Sequence, residues 1–361
     1  MNRDPLYFPR HALAEVIINS LKSGITHAFT LFAPRRMGKT QFLLNDVAPM
    51  AEQSGFNVFY FSFMDDAAQN IPLHFQKALY QFSQQINKAS GVKTFLGGIS
   101  KIDIMGVGIE KHAPESEMPP LSTVLNTIAN DNRPTLLLLD EVQELARIKG
   151  TDGIIRALRT GLDINQGAIK TIFTGSSTNG LRAMFNDNKA PFFHFAHAMD
   201  FPRLGKDFTD FLATVYHDRT GHNINTDALY EAFERMNHTP LFMRATIQDM
   251  IINPELTIEQ ATHARIGQMQ ENSEFPQQWH GLSSMEQMII FLVANGTEAL
   301  YSTQSREHIA ARLGVDDVTT SAVQNAVRKL ERKDLITRDS ANRIQINNPI
   351  FKTWILERIE L

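Results

Sequence analysis

The chain has 361 residues, a formal net charge of −4 at pH 7 and no cysteine. This length predicts two or three domains, and a hydrophobic share of 43% suffices for sizeable cores. The lack of cysteine excludes disulfide frameworks, thiolate catalysis and cysteine-based zinc sites. With a polar N-terminal sequence and no apolar run near the ~20 residues that span a bilayer, we expect a cytoplasmic protein without a membrane partner.

Residues 1–200 alternate helix and strand signals, which predicts an α/β domain with a parallel sheet wound on both faces. The predicted helices cover 11–23, 39–51, 73–89, 142–148 and 153–163, and the predicted strands cover 27–32, 57–63, 135–139 and 170–174. An insert near 97–120 begins with a hairpin pattern at 97–111. Its role as an interaction element or as a structural flap stays open.

A glycine-containing loop connects the first strand to the second helix. Its sequence APRRMGKT matches the phosphate-loop pattern G-x-x-x-x-G-K-[ST] at every fixed position except the first. In this pattern Gly38 allows close backbone approach, Lys39 reaches the β- and γ-phosphates, and the Thr40 hydroxyl coordinates Mg²⁺. The predicted nucleotide contacts are Ala33, Pro34, Arg35, Arg36, Met37, Gly38, Lys39, Thr40 and Gln41. Ala33 costs about 1 kcal/mol if its position requires a positive φ.

A second motif, LLLLDE, is an apolar strand that ends in Asp140 and Glu141. A strand this apolar must be covered on both faces, as in a parallel sheet. Its position about 100 residues after the loop suits a site in which Asp140 holds Mg²⁺ and Glu141 activates water as a general base. The alternative is a solvated acidic pair between a strand and a helix.

The remaining sequence predicts two further domains. Residues 201–278 read as a helical lid domain, with helices at 206–219, 227–236, 241–252 and 258–270. Residues 279–361 predict helices at 285–294, 305–313, 319–333 and 351–359, with two short strands at 335–338 and 343–346. This order of helix, helix-turn-helix and hairpin is typical of a winged helix.

Together the loop APRRMGKT, the motif LLLLDEVQEL, the serine pair after KTIFT and the winged helix resemble one family. It is the archaeal-type ATPase group of the STAND and AAA+ P-loop NTPases, and the double arginine before x-G-K-T is fairly specific to it. The resemblance covers essentially the whole chain and implies a P-loop sheet, a helical lid and a winged helix.

The resemblance also implies further site residues. Ser176, together with Ser177, corresponds to a γ-phosphate sensor, and Arg10 lies where family members approach the adenine. Pro240 corresponds to the proline of a G-x-P motif, although His238 stands where the family has glycine. The remaining candidates are Arg244, as a lid sensor, and Arg156 and Arg159, as fingers that reach a neighbouring subunit. An arginine at such a position is more often a solvated helix residue than a phosphate contact.

The expected activity is ATP binding and Mg²⁺-dependent hydrolysis, and the resemblance implies a switch that completes its site on assembly or partner binding. Two alternatives remain for the function that ATP controls. In one, the winged helix binds double-stranded DNA through Thr319, Thr320, Ser321, Gln324, Asn325 and Arg328. Residues 281–361 carry equal numbers of basic and acidic side chains, which weakens this reading. In the other, the winged helix binds protein and ATP controls homo-oligomer formation. A third hypothesis, motivated by Ala33, is a nucleotide sensor that binds ATP without hydrolysing it.

Overall fold

The computed structural model describes residues 4–64, 71–86, 95–97, 118–176, 184–185, 190–271, 274–338 and 343–359. The chain divides into two compact units, residues 9–202 and residues 1–8 with 203–361. Within the described part of the chain, no helix has the length and apolar character needed to cross a bilayer.

The first unit contains a six-stranded parallel sheet, as the alternating pattern predicts. Its strands are β1 (Ala28–Phe32), β2 (Asn57–Ser62), β3 (Phe95–Gly97), β4 (Thr135–Asp140), β5 (Ile169–Gly175) and β6 (His197–Asp200). They lie in the order β3-β2-β4-β5-β1-β6. Because β5 lies between β1 and β4, the chain segments that follow these three strands meet at one edge of the sheet.

Helices cover both faces of this sheet. On one face, the core contains apolar residues of α1 (His11–Lys22), α2 (Lys39–Phe42) and α3 (Ala48–Gln53). The opposite core contains residues of α4 (Ile71–Ile86), α5 (Leu121–Ala129) and α7 (Asp152–Ile164), and the short α6 (Gln143–Arg147) follows β4. Strand residues that alternate along β2 and β4 enter the two cores in turn, so both faces of the sheet are buried.

The helix after the phosphate loop is not continuous, although the sequence predicts an unbroken helix at 39–51. A π-helical segment, Leu43–Val47, separates α2 from α3. Pro49 lies two residues beyond this segment and has no N–H to donate to the preceding turn. The wider π turn accommodates a proline that an α-helical interior would exclude.

In the second unit, helices dominate. They are α8 (Lys206–Thr220), α9 (Thr226–Arg235), α10 (Pro240–Ile252), α11 (Ile258–Glu271), α12 (Phe275–His280), α13 (Ser284–Ala294), α14 (Thr303–Leu313), α15 (Thr320–Arg332) and α16 (Pro349–Arg358). Between the last two, β7 (Ile336–Arg338) pairs with β8 (Ile344–Ile346) in an antiparallel hairpin. The order from α13 onward is the one that the sequence predicts for a winged helix.

One hydrophobic core runs through the whole second unit. Trp279 of α12 contacts Trp354 of α16 with ring centroids 6.4 Å apart. Gln270 of α11 donates a hydrogen bond of 2.8 Å to Glu357 of α16. The separation into domains at 201–278 and 279–361 therefore stays a prediction, and the two segments share a core.

Some elements have no counterpart among the predicted ones. These are α5, α12, β3 and β6. Strand β6 has the sequence HAMD, and His197, Ala198 and Asp200 are exposed. It therefore contains no apolar run from which a strand could be predicted. Most of the predicted hairpin at 97–111 lies outside the described residues.

Candidate functional site at the phosphate loop

Two residues of the phosphate loop have left-handed backbone. Gly38, the residue before α2, has φ of 88°, and Arg36 has φ of 70°. Ala33 is not among the positive-φ residues, so alanine at the first position of the motif carries no left-handed penalty. A Cβ at position 38 would meet open space, so no steric contact excludes a side chain there. The left-handed backbone conformation is what favours glycine at this position.

The side chain of Lys39 spans this loop. It is only 4% exposed, and its Nζ donates hydrogen bonds of 2.7 Å to the Ala33 carbonyl and 3.0 Å to the Pro34 carbonyl. Burial lowers the pKa of Lys39, whereas the carboxylates of Glu141 and Asp140 oppose that change. The ammonium group is thus held beside two acidic side chains at the mouth of the loop.

Asp140 is the centre of a buried hydroxyl network. Its carboxylate is 1% exposed, and its Oδ2 accepts hydrogen bonds of 2.6 Å from Thr40 Oγ1 and 3.1 Å from the Tyr60 hydroxyl. Its Oδ1 accepts a hydrogen bond from Thr174 Oγ1. Three neutral donors from α2, β2 and β5 therefore fix one carboxylate beside the phosphate loop.

This donor set fits Mg²⁺. The hydroxyl of Thr40 and the carboxylate of Asp140 are hard oxygen ligands that lie together at the C-terminal edge of the sheet. Within the described ranges, no group of three or more His, Asp or Glu side chains could hold a metal. A cation here would therefore be held by few protein oxygens together with phosphate and water, as Mg²⁺ is in nucleotide sites.

Glu141 adopts a left-handed conformation directly after β4, with φ of 55°. Its Oε2 accepts hydrogen bonds of 2.9 Å from the Ser176 N–H, 2.6 Å from Ser176 Oγ and 2.5 Å from Gln143 Nε2. Burial favours the neutral acid, but the charge of Lys39 and these hydrogen bonds outweigh it, so the pKa of Glu141 is lowered. The carboxylate is ionised at neutral pH and suited to accept a proton.

Ser176 connects the second motif to the phosphate loop. It follows β5 directly, and its Oγ, which donates to Glu141, accepts a hydrogen bond of 3.4 Å from Arg35 Nε. The structure thus brings the predicted sensor position together with the phosphate loop and the predicted base. Ser177 lies outside the described residues.

Arg10 contacts the phosphate loop through its guanidinium group. Its guanidinium donates hydrogen bonds of 3.4 Å to the Met37 carbonyl and 2.5 Å to the Pro202 carbonyl. The group also lies 4.0 Å from the centroid of the Phe201 ring. These contacts hold Met37 in place; the contact of Arg10 with an adenine stays a prediction.

The two finger candidates both lie on α7. Arg159 pairs with Asp163 at 2.8 Å and stacks over Phe195 at 4.3 Å. Arg156 is exposed, and its Nε donates to the Asp152 carbonyl at 3.3 Å. Arg159 is therefore already engaged within its own chain, whereas Arg156 faces solvent.

The remaining predicted residues are Gln41, Pro240 and Arg244. Gln41 is exposed and accepts a hydrogen bond of 2.8 Å from Asn45 Nδ2. In the second unit, Pro240 is the first residue of α10, and Arg244 pairs with Asp4. His238 has φ of 52°, so it takes the left-handed conformation that glycine adopts most easily.

Tyr60, Thr174 and Gln143 contact the acidic pair, yet the sequence reading does not single them out. In the strand register Ser62 pairs with Asp140, so Tyr60, two residues earlier on β2, lies on the same face of the sheet as Asp140. Thr174 lies near the end of β5, the other neighbour of β4. A polar residue near the C-terminal end of a buried strand is the signal that identifies both.

Comparison with family models gives no match, and comparison with curated proteins also gives none. Solved structures do match. The Walker-type ATPase PABY2304 of Pyrococcus abyssi aligns over 96% of this chain and 95% of its own, with a TM-score of 0.66 and 15% identity. This protein has the fold of an AAA+ P-loop NTPase.

The ORC2 protein of Aeropyrum pernix supports the same fold. Its ADPNP–ADP complexes align over 98% of this chain and 97% of that chain, with a TM-score of 0.53 and 14% identity. Its ADP form aligns over 97% of both chains, with a TM-score of 0.52 and 15% identity. At these identities the likeness concerns the fold alone.

Proposed function

We propose that the protein binds ATP with Mg²⁺ at the phosphate loop and hydrolyses the bond between the β- and γ-phosphates. The observation that carries this proposal is the 2.6 Å hydrogen bond between Thr40 and Asp140, two residues 100 positions apart. It brings the two sequence motifs together at the sheet edge where α/β folds bind ligands. The nucleotide complexes of the Aeropyrum pernix ORC2 protein, which shares the fold, agree with this assignment.

Each residue has a role that follows from its contacts. The loop amides and the ammonium of Lys39 bind phosphate oxygens, and Thr40 and Asp140 hold Mg²⁺, which supplies charge neutralisation. The carboxylate of Glu141 accepts a proton from water. Its Oε2 takes all three hydrogen bonds found among the described residues, which leaves Oε1 to face the water.

The reaction is a displacement of ADP by water at the γ-phosphorus. The oxygen of water bonds to the γ-phosphorus while the bond from that phosphorus to the bridging oxygen breaks. The electron pair of that bond stays on ADP, and the proton of water passes to Glu141. The products are ADP and inorganic phosphate.

The hydrolysis proposal is tested by phosphate release from Mg-ATP. Lys39→Ala removes the phosphate-binding ammonium and is expected to lower release at least ~100-fold. Lys22→Ala is the matched control, because this exposed lysine ends α1 at the opposite edge of the sheet. Equal release by wild type and Lys39→Ala would refute the proposal.

For the second unit we propose a winged helix that binds double-stranded DNA through α15. Gln324, Asn325 and Arg328 are exposed on this helix. Lys329 and Arg332 are exposed beside them, and the described residues provide no ion pair to the three basic side chains. Exposed cations near amide side chains on one helix suit phosphate contact with base readout.

A specific observation favours the alternative of a signalling NTPase whose winged helix binds protein. Lys333 pairs with Glu286 at 3.0 Å, and Arg338 pairs with Glu331 at 2.9 Å. These pairs reduce the positive field beside α15. Binding of duplex DNA that weakens steeply with salt supports the DNA assignment, whereas ATP-dependent homo-oligomer formation without DNA affinity supports the signalling assignment.

A further inference from the structure

Two arginines precede the glycine of the phosphate loop, and the structure gives them different positions. Arg36 occupies the left-handed turn, with φ of 70°. Arg35 directs its Nε–H to Ser176 Oγ at 3.4 Å. The hydroxyl of Ser176 in turn donates to Glu141 at 2.6 Å. A single side chain therefore separates Arg35 from the carboxylate that is proposed to activate water.

The terminal nitrogens of Arg35 are available for a phosphate oxygen. The side chain is exposed, and the described residues include no carboxylate in ion-pair contact with it. A guanidinium carries five N–H donors, so one contact through Nε leaves four on the terminal nitrogens.

The finger candidates on α7 are less suited to this role in their own chain. Arg159 is held by Asp163 and Phe195. Arg156 donates to a carbonyl of its own helix. Arg35, in contrast, lies on the phosphate loop itself and contacts the sensor serine. A planar guanidinium that binds two oxygens at once is the group best suited to charge that spreads over a phosphoryl group.

We propose that Arg35 is a catalytic arginine supplied in cis, whose terminal N–H groups bind γ-phosphate oxygens while its Nε–H holds Ser176 against Glu141. This inference rests on the proposed ATP hydrolysis. As water bonds to the γ-phosphorus and the bond to the bridging oxygen breaks, negative charge grows beside Arg35, and the proton goes to Glu141. Each molecule then completes its own site, so the rate per molecule does not depend on protein concentration.

The test compares Arg35→Ala and Arg35→Lys with Arg133→Ala. Arg133 precedes β4 and lies at the opposite edge of the same sheet, so it is the matched control. Two quantities are measured: single-turnover phosphate release, and trapping of ADP with aluminium fluoride, which mimics the phosphoryl group in transfer. Thermal unfolding of each variant establishes that it is folded.

Arg35→Ala is expected to release phosphate about 10³-fold more slowly than wild type. Because negative charge grows beside Arg35 during transfer, we expect the affinity for Mg-ATP to fall far less than the rate, and the ADP–aluminium fluoride complex to be lost. Arg35→Lys retains the charge but not the planar fork, and is expected to remain close to Arg35→Ala. Free guanidinium ions are expected to restore part of the rate of Arg35→Ala only.

Undiminished trapping and release in Arg35→Ala would overturn the assignment. A wild-type rate per molecule that falls on dilution would overturn the cis arrangement, because completion of the site would then require a second copy. A wild type that releases no phosphate at all would refute the proposed function and this inference together. Hydrolysis by wild type and Arg35→Ala at equal rates would refute the inference alone.

Discussion

The hydroxyl of Tyr60 donates a hydrogen bond of 3.1 Å to Oδ2 of Asp140, the same oxygen that accepts from Thr40. Tyr60 is 2% exposed and lies on β2, beside the strand that ends in Asp140. The phenol therefore fixes the orientation of the carboxylate that is proposed to hold Mg²⁺. Such supporting hydrogen bonds set metal affinity without contacting the metal.

Tyr60→Phe is expected to weaken Mg²⁺ binding by ~10-fold or more, because Asp140 loses one of its orienting donors. The measurement is a Mg²⁺ titration of nucleotide binding, followed by the fluorescence of an ATP analogue. Tyr80→Phe, on α4, is the matched control. An unchanged Mg²⁺ midpoint in Tyr60→Phe would contradict this role.

Arg10→Ala is expected to destabilise the protein without nucleotide, because the guanidinium bonds two carbonyls and stacks on Phe201. We expect the free energy of unfolding to fall by about 1–3 kcal/mol. Arg147→Ala, which breaks an exposed pair with Glu144, should change it by less than ~0.5 kcal/mol. Denaturant unfolding of both variants measures these changes. Equally small changes in the free energy of unfolding would show that Arg10 does not stabilise the loop.

The lowered pKa of Glu141 predicts a pH-dependent contribution to stability. Burial opposes the ionised form, but Lys39, Ser176 and Gln143 stabilise it more, so the folded-state pKa lies below the ordinary value of 4.5. A depressed carboxyl pKa stabilises the folded state above the unfolded value, and the contribution is lost as pH falls through the folded value. The stability difference between wild type and Glu141→Gln should therefore shrink below pH 4.5. Urea unfolding at several pH values measures it, and a difference that is constant with pH would contradict the assignment.

Arg328→Ala tests the DNA assignment. If the exposed Arg328 on α15 contacts a phosphate, its loss weakens binding to all duplex sequences and lowers the salt slope by about 1. Fluorescence anisotropy with labelled duplex at several salt concentrations measures both. Lys352→Ala, exposed on α16, is the control. Identical salt slopes for wild type and Arg328→Ala would remove α15 from the interface.

Strands β1, β2, β4 and β5 were predictable because each is a short, largely apolar run. The strand that ends in Asp140 and the loop that ends in Gly38, Lys39 and Thr40 carry their chemistry in short local patterns. Strand β6 carries no such run and escapes prediction.

The partners of the acidic pair depend on strand order, which a local pattern does not contain. Tyr60 reaches Asp140 because β2 lies beside β4, and Thr174 does so because β5 lies on the other side. The backbone conformation of the phosphate loop could not be predicted from the sequence either. The left-handed residues of the loop are Arg36 and Gly38, so the alanine at position 33 is tolerated.

The most direct test of ATP hydrolysis at this site is to measure Mg-ATP affinity and single-turnover phosphate release on the same Glu141→Gln preparation. Gln is nearly isosteric with Glu but cannot take the proton of water. With Glu141 as the general base, we expect affinity close to that of wild type and release slower by ~100-fold or more. Release at the wild-type rate would contradict the assignment of Glu141 as the general base and, with it, the proposed site.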